Sequence, residues 1–182
     1  MEKENNLYSK IQEEHRKVEN KYSKHMYEEF NLKLKYQNLM EPFLKERDTA
    51  IRSLTKKQRI FLFEKITGKF SEFLSLLPTY THEDIEYYDM YFINMLKVTL
   101  LENFKAKVEL ELFENPYIEN TKLVRIFCLV DNKNQFDKIN YKEGVEKCDL
   151  FNFFEERKAI DLSYFNLIYD LYLDLGDGIS LE

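Results

Sequence analysis

The stretch that decides the fold is residues 1–41, MEKENNLYSKIQEEHRKVENKYSKHMYEEFNLKLKYQNLME. It holds no glycine and no proline and is rich in Glu, Lys, Leu, Gln, Met and Arg, residues that lose little on entering a helix. Leu7, Ile11, Val18, Tyr22, Met26, Phe30, Tyr36, Met40 and Phe43 recur at spacings near three, four and seven. That period predicts one long helix with an apolar stripe.

Forty-one helical residues span about 60 Å, whereas a compact body made from the rest of the chain is about 35–40 Å across. Part of the helix is therefore expected to overhang. Leaving Leu7, Ile11, Val18, Tyr22, Met26 and Phe30 in water would forfeit about 10 kcal/mol as an upper bound, similar to the stability of a whole domain. A second helix is expected to cover these six residues, and a second copy of the chain in a two-fold arrangement is the simplest supplier. They form the expected dimer interface. Pro42 lacks a donor and predicts a kink, but Phe43, Leu44, Arg47 and Ile51 continue the period. The expected organisation is a helical segment over 1–54, kinked near Pro42, and an α+β domain over 55–182.

Beyond the helix, Phe63, Ile66, Phe70, Phe73, Leu74 and Leu77 predict a second amphipathic helix that Pro78 stops. Thr81-His82-Glu83-Asp84 reads as a helix start with acids in its first turn, and Ile85, Tyr88, Phe92, Met95 and Leu96 follow at helical spacing. The period then changes to two. Phe104, Ala106, Val108, Leu110 and Leu112 alternate with Lys105, Lys107, Glu109 and Glu111, the pattern of an antiparallel strand with one wet face. Val98–Leu101 precedes it across a short Glu102-Asn103 turn, and Leu123–Val130 and Phe136–Lys142 supply two further strands. The connections are too short for crossover helices, so the expected sheet is four-stranded and antiparallel. Leu150, Phe151, Phe153 and Phe154 form an aromatic cluster, and Asp161 caps a last helix carrying Leu162, Phe165, Ile168, Tyr169 and Tyr172.

Composition narrows the function. The chain has 182 residues, 44% of them apolar, with only four glycines and three prolines, which favours long helices over many tight turns. Residues Met1 to Asn6 carry no apolar run resembling a secretion signal or a membrane span, so an intracellular setting is expected. Cys128 and Cys148 are too few for a disulfide framework or a zinc site and read as reduced, buried thiols. The net charge of -6 is uneven: residues 61–182 hold 23 Asp and Glu against 13 Lys and Arg. An acidic body repels nucleic acid and attracts basic partners. Three histidines, no phosphate-binding glycine loop and no nucleophile-base motif argue against an enzyme, and no cofactor or metal is expected.

Four motifs occur in a telling order: Glu41-Pro42-Phe43-Leu44-x-x-Arg47, Glu114-Asn115-Pro116-Tyr117-Ile118-Glu119-Asn120, Ile139-Asn140-Tyr141-Lys142-Glu143-Gly144 and Phe151-Asn152-Phe153-Phe154. In this order they resemble the nucleosome assembly protein and SET family, from about Val18 to the C-terminus. The resemblance implies a histone chaperone of nucleus and cytoplasm. Its partners would be core histones and a second copy joined through antiparallel long helices, with no direct contact to nucleic acid or membrane. It also implies that Glu41 to Arg47 mark the turn from helix into domain, Glu114 to Asn120 a hairpin connection, and Phe151, Phe153 and Phe154 core aromatics.

The chain departs from the family pattern in having no tryptophan, with Leu54-Thr55-Lys56-Lys57 standing where Ile-Pro-x-Phe-Trp is usual. It also stops at Ile179–Glu182 without an acidic tail, which suggests a trimmed end. Candidate histone-binding acids are Asp84 and Asp89 on the predicted third helix, Glu109 and Glu111 on the wet strand face, and Glu143, Glu146, Glu155 and Glu156 near the far end of the sheet. A non-catalytic dimeric scaffold or inhibitor holding a non-histone partner is the competing reading.

Overall fold

The computed structural model describes residues 2–130, 134–155 and 162–177, with side chains from Leu7 onward. The chain divides into two units, Met1–Met40 and Glu41–Glu182. Helix α1 runs unbroken from Glu2 to Ser53 with Pro42 inside it, so Glu41 to Arg47 is helix and not a turn. In the first unit, α1 carries ion pairs one turn apart, including Lys17 with Glu13 (3.5 Å) and Lys33 with Glu29 (2.8 Å). The hydrogen bond and charge of Lys33 hold the Glu29 carboxyl below the usual range. Each exposed pair of this kind adds about 0.2–0.5 kcal/mol to helix stability.

In the second unit, the end of α1 is joined to the last helix, α5 (Leu162–Leu173), by Arg47. The C-terminal carbonyls of a helix lack intrahelical partners, and the Arg47 guanidinium donates to two of them, Tyr172 O and Leu173 O, both at 2.9 Å. The same guanidinium lies 4.6 Å from the centre of the Tyr172 ring and pairs with Asp48, which accepts from the Tyr172 hydroxyl at 3.0 Å. Burial and the Asp48 carboxylate together push the Tyr172 phenol well above its ordinary pKa.

Helix α2 (Lys56–Thr67) begins at a capping box. The Thr55 hydroxyl accepts from Gln58 N, and the Gln58 side-chain oxygen accepts from Thr55 N at 2.9 Å. It ends at Gly68, sooner than the apolar spacing implies, and the rest of the predicted second helix shrinks to the single turn α3 (Ser71–Leu74). Lys56 and Arg59 lie 4.8 and 5.1 Å from the centre of the Phe113 ring, and Arg59 also donates to Asn94, so both are packed against the body.

The predicted third helix is not there. Thr79–His82 (β1) and Ile85–Tyr88 (β2) form an antiparallel hairpin, and Glu83 and Asp84 make its two-residue turn with φ of 52° and 61°. Two consecutive residues at positive φ give the turn twist that matches a hairpin. Met95 and Leu96 belong instead to strand β3 (Ile93–Leu101). Strands β3, β4 (Lys105–Leu112), β5 (Lys122–Cys128) and β6 (Asn134–Phe136) pair antiparallel in chain order. Phe104, predicted inside β4, sits in the β3–β4 turn with φ 57°. The fourth strand lies ahead of the predicted Phe136–Lys142, which is irregular after Phe136.

Alternation places Leu96, Val98, Ala106, Val108, Leu110, Leu123 and Phe127 in the core. Helices α2 and α5 pack on β3, and α4 (Asp149–Glu155) packs on β5. Arg125 also points inward, at 1% exposure, flanked by the Phe127 and Phe153 rings at 5.7 and 5.2 Å. It donates to the carbonyl of Phe153 on α4, so a second arginine serves a helix carbonyl. The expected Asp161 cap lies outside the described residues.

The motif segments meet in space. The side-chain oxygen of buried Asn115 accepts from the amides of Tyr117 and Ile118, both at 3.0 Å, and its amide donates to Phe113 O at 2.9 Å. Ile118 bridges Tyr141, while Asn120 exchanges bonds with Asn140 N (2.8 Å) and Lys138 O (3.0 Å). Phe92, Tyr117 and Tyr141 then converge on Phe151, with ring centroids 5.9, 6.3 and 6.0 Å away.

Two outcomes follow from this packing. Asn115→Ala leaves two amides without their acceptor and is expected to destabilise the body by about 1–3 kcal/mol, read as a lower urea midpoint at unchanged slope. Arg52 pairs through both nitrogens with Glu111, whose carboxyl is held below the usual range chiefly by that hydrogen bond. A depressed carboxylate contributes stability above its unfolded value of about 4.3 and loses it as pH falls through the folded one. Wild type should therefore lose about 0.5–1 kcal/mol more than Glu111→Gln between pH 7 and pH 3 in parallel thermal melts.

Candidate functional site

Binding surfaces, and no catalytic centre, are what the sequence points to. In the first unit, the α1 residues Leu7, Ile11, Val18 and Tyr22 are exposed at 60, 56, 62 and 63%, and Leu32, Tyr36 and Leu39 are comparably exposed. At 100° per residue these seven side chains fall within an arc of about 100°, a continuous apolar stripe. Met26 and Phe30 stand about 90° and 130° from its centre. Met26 is half-buried and Phe30 is buried, so the stripe leaves these two predicted positions and continues through Leu32, Tyr36 and Leu39. Tyr36 already stands on the predicted stripe, and Leu32 and Leu39 were legible in principle, because seven-residue steps from Ile11 through Val18 reach both.

In the second unit the seven described candidate acids do not form one cluster. Asp84 is in the hairpin turn, exposed, and not on a helix. Asp89 follows β2 and accepts from the Tyr117 hydroxyl at 2.7 Å and from Tyr91 N at 2.9 Å. Burial, followed by that bond, raises the Tyr117 phenol pKa far above its ordinary value. Glu155 plays the same part for Tyr141, accepting from its hydroxyl at 3.0 Å, and also pairs with Lys147 at 2.7 Å. Asp89 and Glu155 thus anchor two of the tyrosines that surround Phe151.

The wet face of the sheet is charge-paired. Partial burial works to raise the Glu109 pKa, but hydrogen bonds from Lys122 (2.6 Å) and Lys107 (3.1 Å) outweigh it and leave the carboxyl below the usual range. Glu111 is taken by Arg52. With Lys97 directly opposite Glu109, these strands offer a basic partner little uncompensated negative charge. Glu143 and Glu146 are exposed, in a loop that turns at Gly144 with φ 75°. Glu146 borders an open groove of about 510 Å³ together with Pro78, Pro116, Tyr117 and Cys148. Glu156 lies outside the described residues.

Burial pushes the Cys148 thiol up to about 11, so it stays protonated near neutral pH. His15 and His25 lie on α1, each beside a glutamate one turn on, and His82 lies on the hairpin opposite Ile85. Among the described residues, no group of three or more His, Cys, Asp or Glu is placed to hold a metal ion. Among the same residues, no helix is long and apolar enough to cross a membrane.

The hairpin itself was missed as a surface. Tyr80, Ile85, Tyr87, Tyr88 and Tyr91 are five of the eight exposed large apolar or aromatic side chains described in the second unit. A signal was present, because Thr79–Tyr88 is rich in the β-branched and aromatic residues that favour strands.

No family model and no curated protein matches the chain. Among solved structures, it is similar to a malaria parasite nucleosome assembly protein, 15% identical over 100% of this chain and 92% of that one, with a TM-score of 0.48. It is likewise similar to nucleosome assembly protein 1 from Plasmodium knowlesi (15% identical, 100% and 92% covered, TM-score 0.47). A third is nucleosome assembly protein S from Plasmodium falciparum (17% identical, 90% and 98% covered, TM-score 0.47).

Proposed function

We propose that this chain is a non-catalytic histone chaperone that works as a homodimer, binding basic core histones through its acidic body and promoting nucleosome assembly, in nucleus and cytoplasm. The observation that carries the reading is the convergence of the motif segments. Three of the four motif segments, carrying Asn115 with Tyr117, Tyr141, and Phe151, resemble one family in their order and meet in one packed junction. A chance set of short matches has no reason to share a junction.

Two physical features fit the same reading. The surplus of ten carboxylates over residues 61–182 favours a basic partner by its summed field. The exposed stripe of α1 suits pairing with the same stripe of a second copy, since an isologous contact needs one self-complementary surface.

Fluorescence anisotropy with labelled core histone heterodimers tests the chaperone reading. Binding is expected at low salt and should weaken steeply as salt rises; no complex even at low salt would contradict it. Pairing of α1 predicts a melting temperature that rises with protein concentration. Val18→Glu with Tyr22→Glu should lower the transition and remove that concentration dependence, whereas an unchanged profile would show that the stripe is not the seam.

A further inference from the structure

We propose that the β1–β2 hairpin is a docking surface for an extended, Lys/Arg-rich polypeptide segment. The proposal deepens the histone reading and rests on it, since the flexible arms of a basic cargo are the segments that would dock. Both strands of the hairpin are exposed along their whole length, so neither face belongs to the core. Register puts Tyr80, His82, Ile85 and Tyr87 on one face, with the Tyr80 and Tyr87 rings stacked at 5.6 Å. A lone two-stranded hairpin is marginal in water and gains by being covered. Exposed tyrosines are well suited to covering, because they offer rigid area together with a polar tip.

Charge selects the occupant. Between Thr79 and Tyr91 there are four carboxylates, Glu83, Asp84, Glu86 and Asp89, and no Lys or Arg. Asp89 is engaged by Tyr117, which leaves Glu83 and Asp84 at the tip and Glu86 on the face behind Tyr87. Nucleic acid and anionic membrane are repelled by this surface, and the hairpin of a second copy would bring like charge against like. Lys and Arg side chains satisfy both halves of it, stacking over tyrosine rings and pairing with the carboxylates. The pairing register also leaves the outer edges of β1 and β2 without a strand partner among the described residues, so an extended chain can lie along either.

The test uses the whole chain and two labelled probes, a peptide with Lys or Arg at every third position and a core histone heterodimer. The charge variant is Glu83→Gln, Asp84→Asn, Glu86→Gln; the aromatic variant is Tyr80→Ser, Tyr87→Ser. A control removes the same charge elsewhere on the body, with Glu102→Gln, Glu114→Gln and Glu119→Gln. Circular dichroism checks that each variant is folded. Both hairpin variants should weaken peptide binding by about tenfold or more, and the control by less than about twofold. If the hairpin variants bind the peptide like wild type, or the control loses as much as they do, the hairpin is not the docking surface. Histone binding that survives in the hairpin variants leaves the chaperone reading standing and overturns this one. Peptide binding lost in those variants, alongside no histone binding by wild type, does the reverse. Wild type that binds neither probe at low salt overturns both.

Discussion

Seven apolar side chains of α1, from Leu7 to Leu39, stand in water along one line of a helix. Hydration of that stripe is the constraint that governs α1. At about 1.5–3 kcal/mol for each fully buried side chain, covering it is worth as much as the net stability of a typical domain. Ion pairs such as Lys33 with Glu29 favour the helical backbone, but by tenths of a kcal/mol they do not compete with such an exposure.

The body meets a different constraint, the need of helix carbonyls for donors. Arg47 serves the carbonyls at the end of α5, and Arg125 serves a carbonyl of α4 from inside the core. Charge in the interior is costly, and each guanidinium offsets part of that cost through backbone oxygen and aromatic faces. The planar geometry of an arginine fork, which a lysine cannot reproduce, explains why these two positions are arginine in terms of their contacts alone. Around Phe151 the polar work is done by Asn115, Asp89 and Glu155, which hold the backbone and hydroxyl groups of the segments that carry the rings.

Much of the fold was legible because its signals are periodic. The helical line of α1 and the two-residue alternation of β4 can be read directly, and β3 and β5 follow from the short connections on either side. The hairpin was not, because its turn is Glu83-Asp84 and lacks the glycine or asparagine that usually marks positive φ. Thr81 with its acids then mimicked a helix start, while the real capping box, Thr55 to Gln58, was hidden among basic residues. Arg125 shows the limit of alternation: the pattern places it inward, but nothing in it says that a charge will be satisfied there.

The candidate acids were the least legible part. Sequence gives their number, whereas their availability depends on cross-strand register and tertiary partners: Glu109 and Glu111 are paired away, Asp89 and Glu155 hold tyrosines, and Asp84, Glu143 and Glu146 remain open. The proposed particle holds two copies of the chain and takes up core histones. Multi-angle light scattering of the chain alone and mixed with core histone heterodimers is its sharpest test. A mass about twice the 22.2 kDa chain is expected, rising further when histones are added. A peak at the mass of one chain, unmoved by histones, would contradict it.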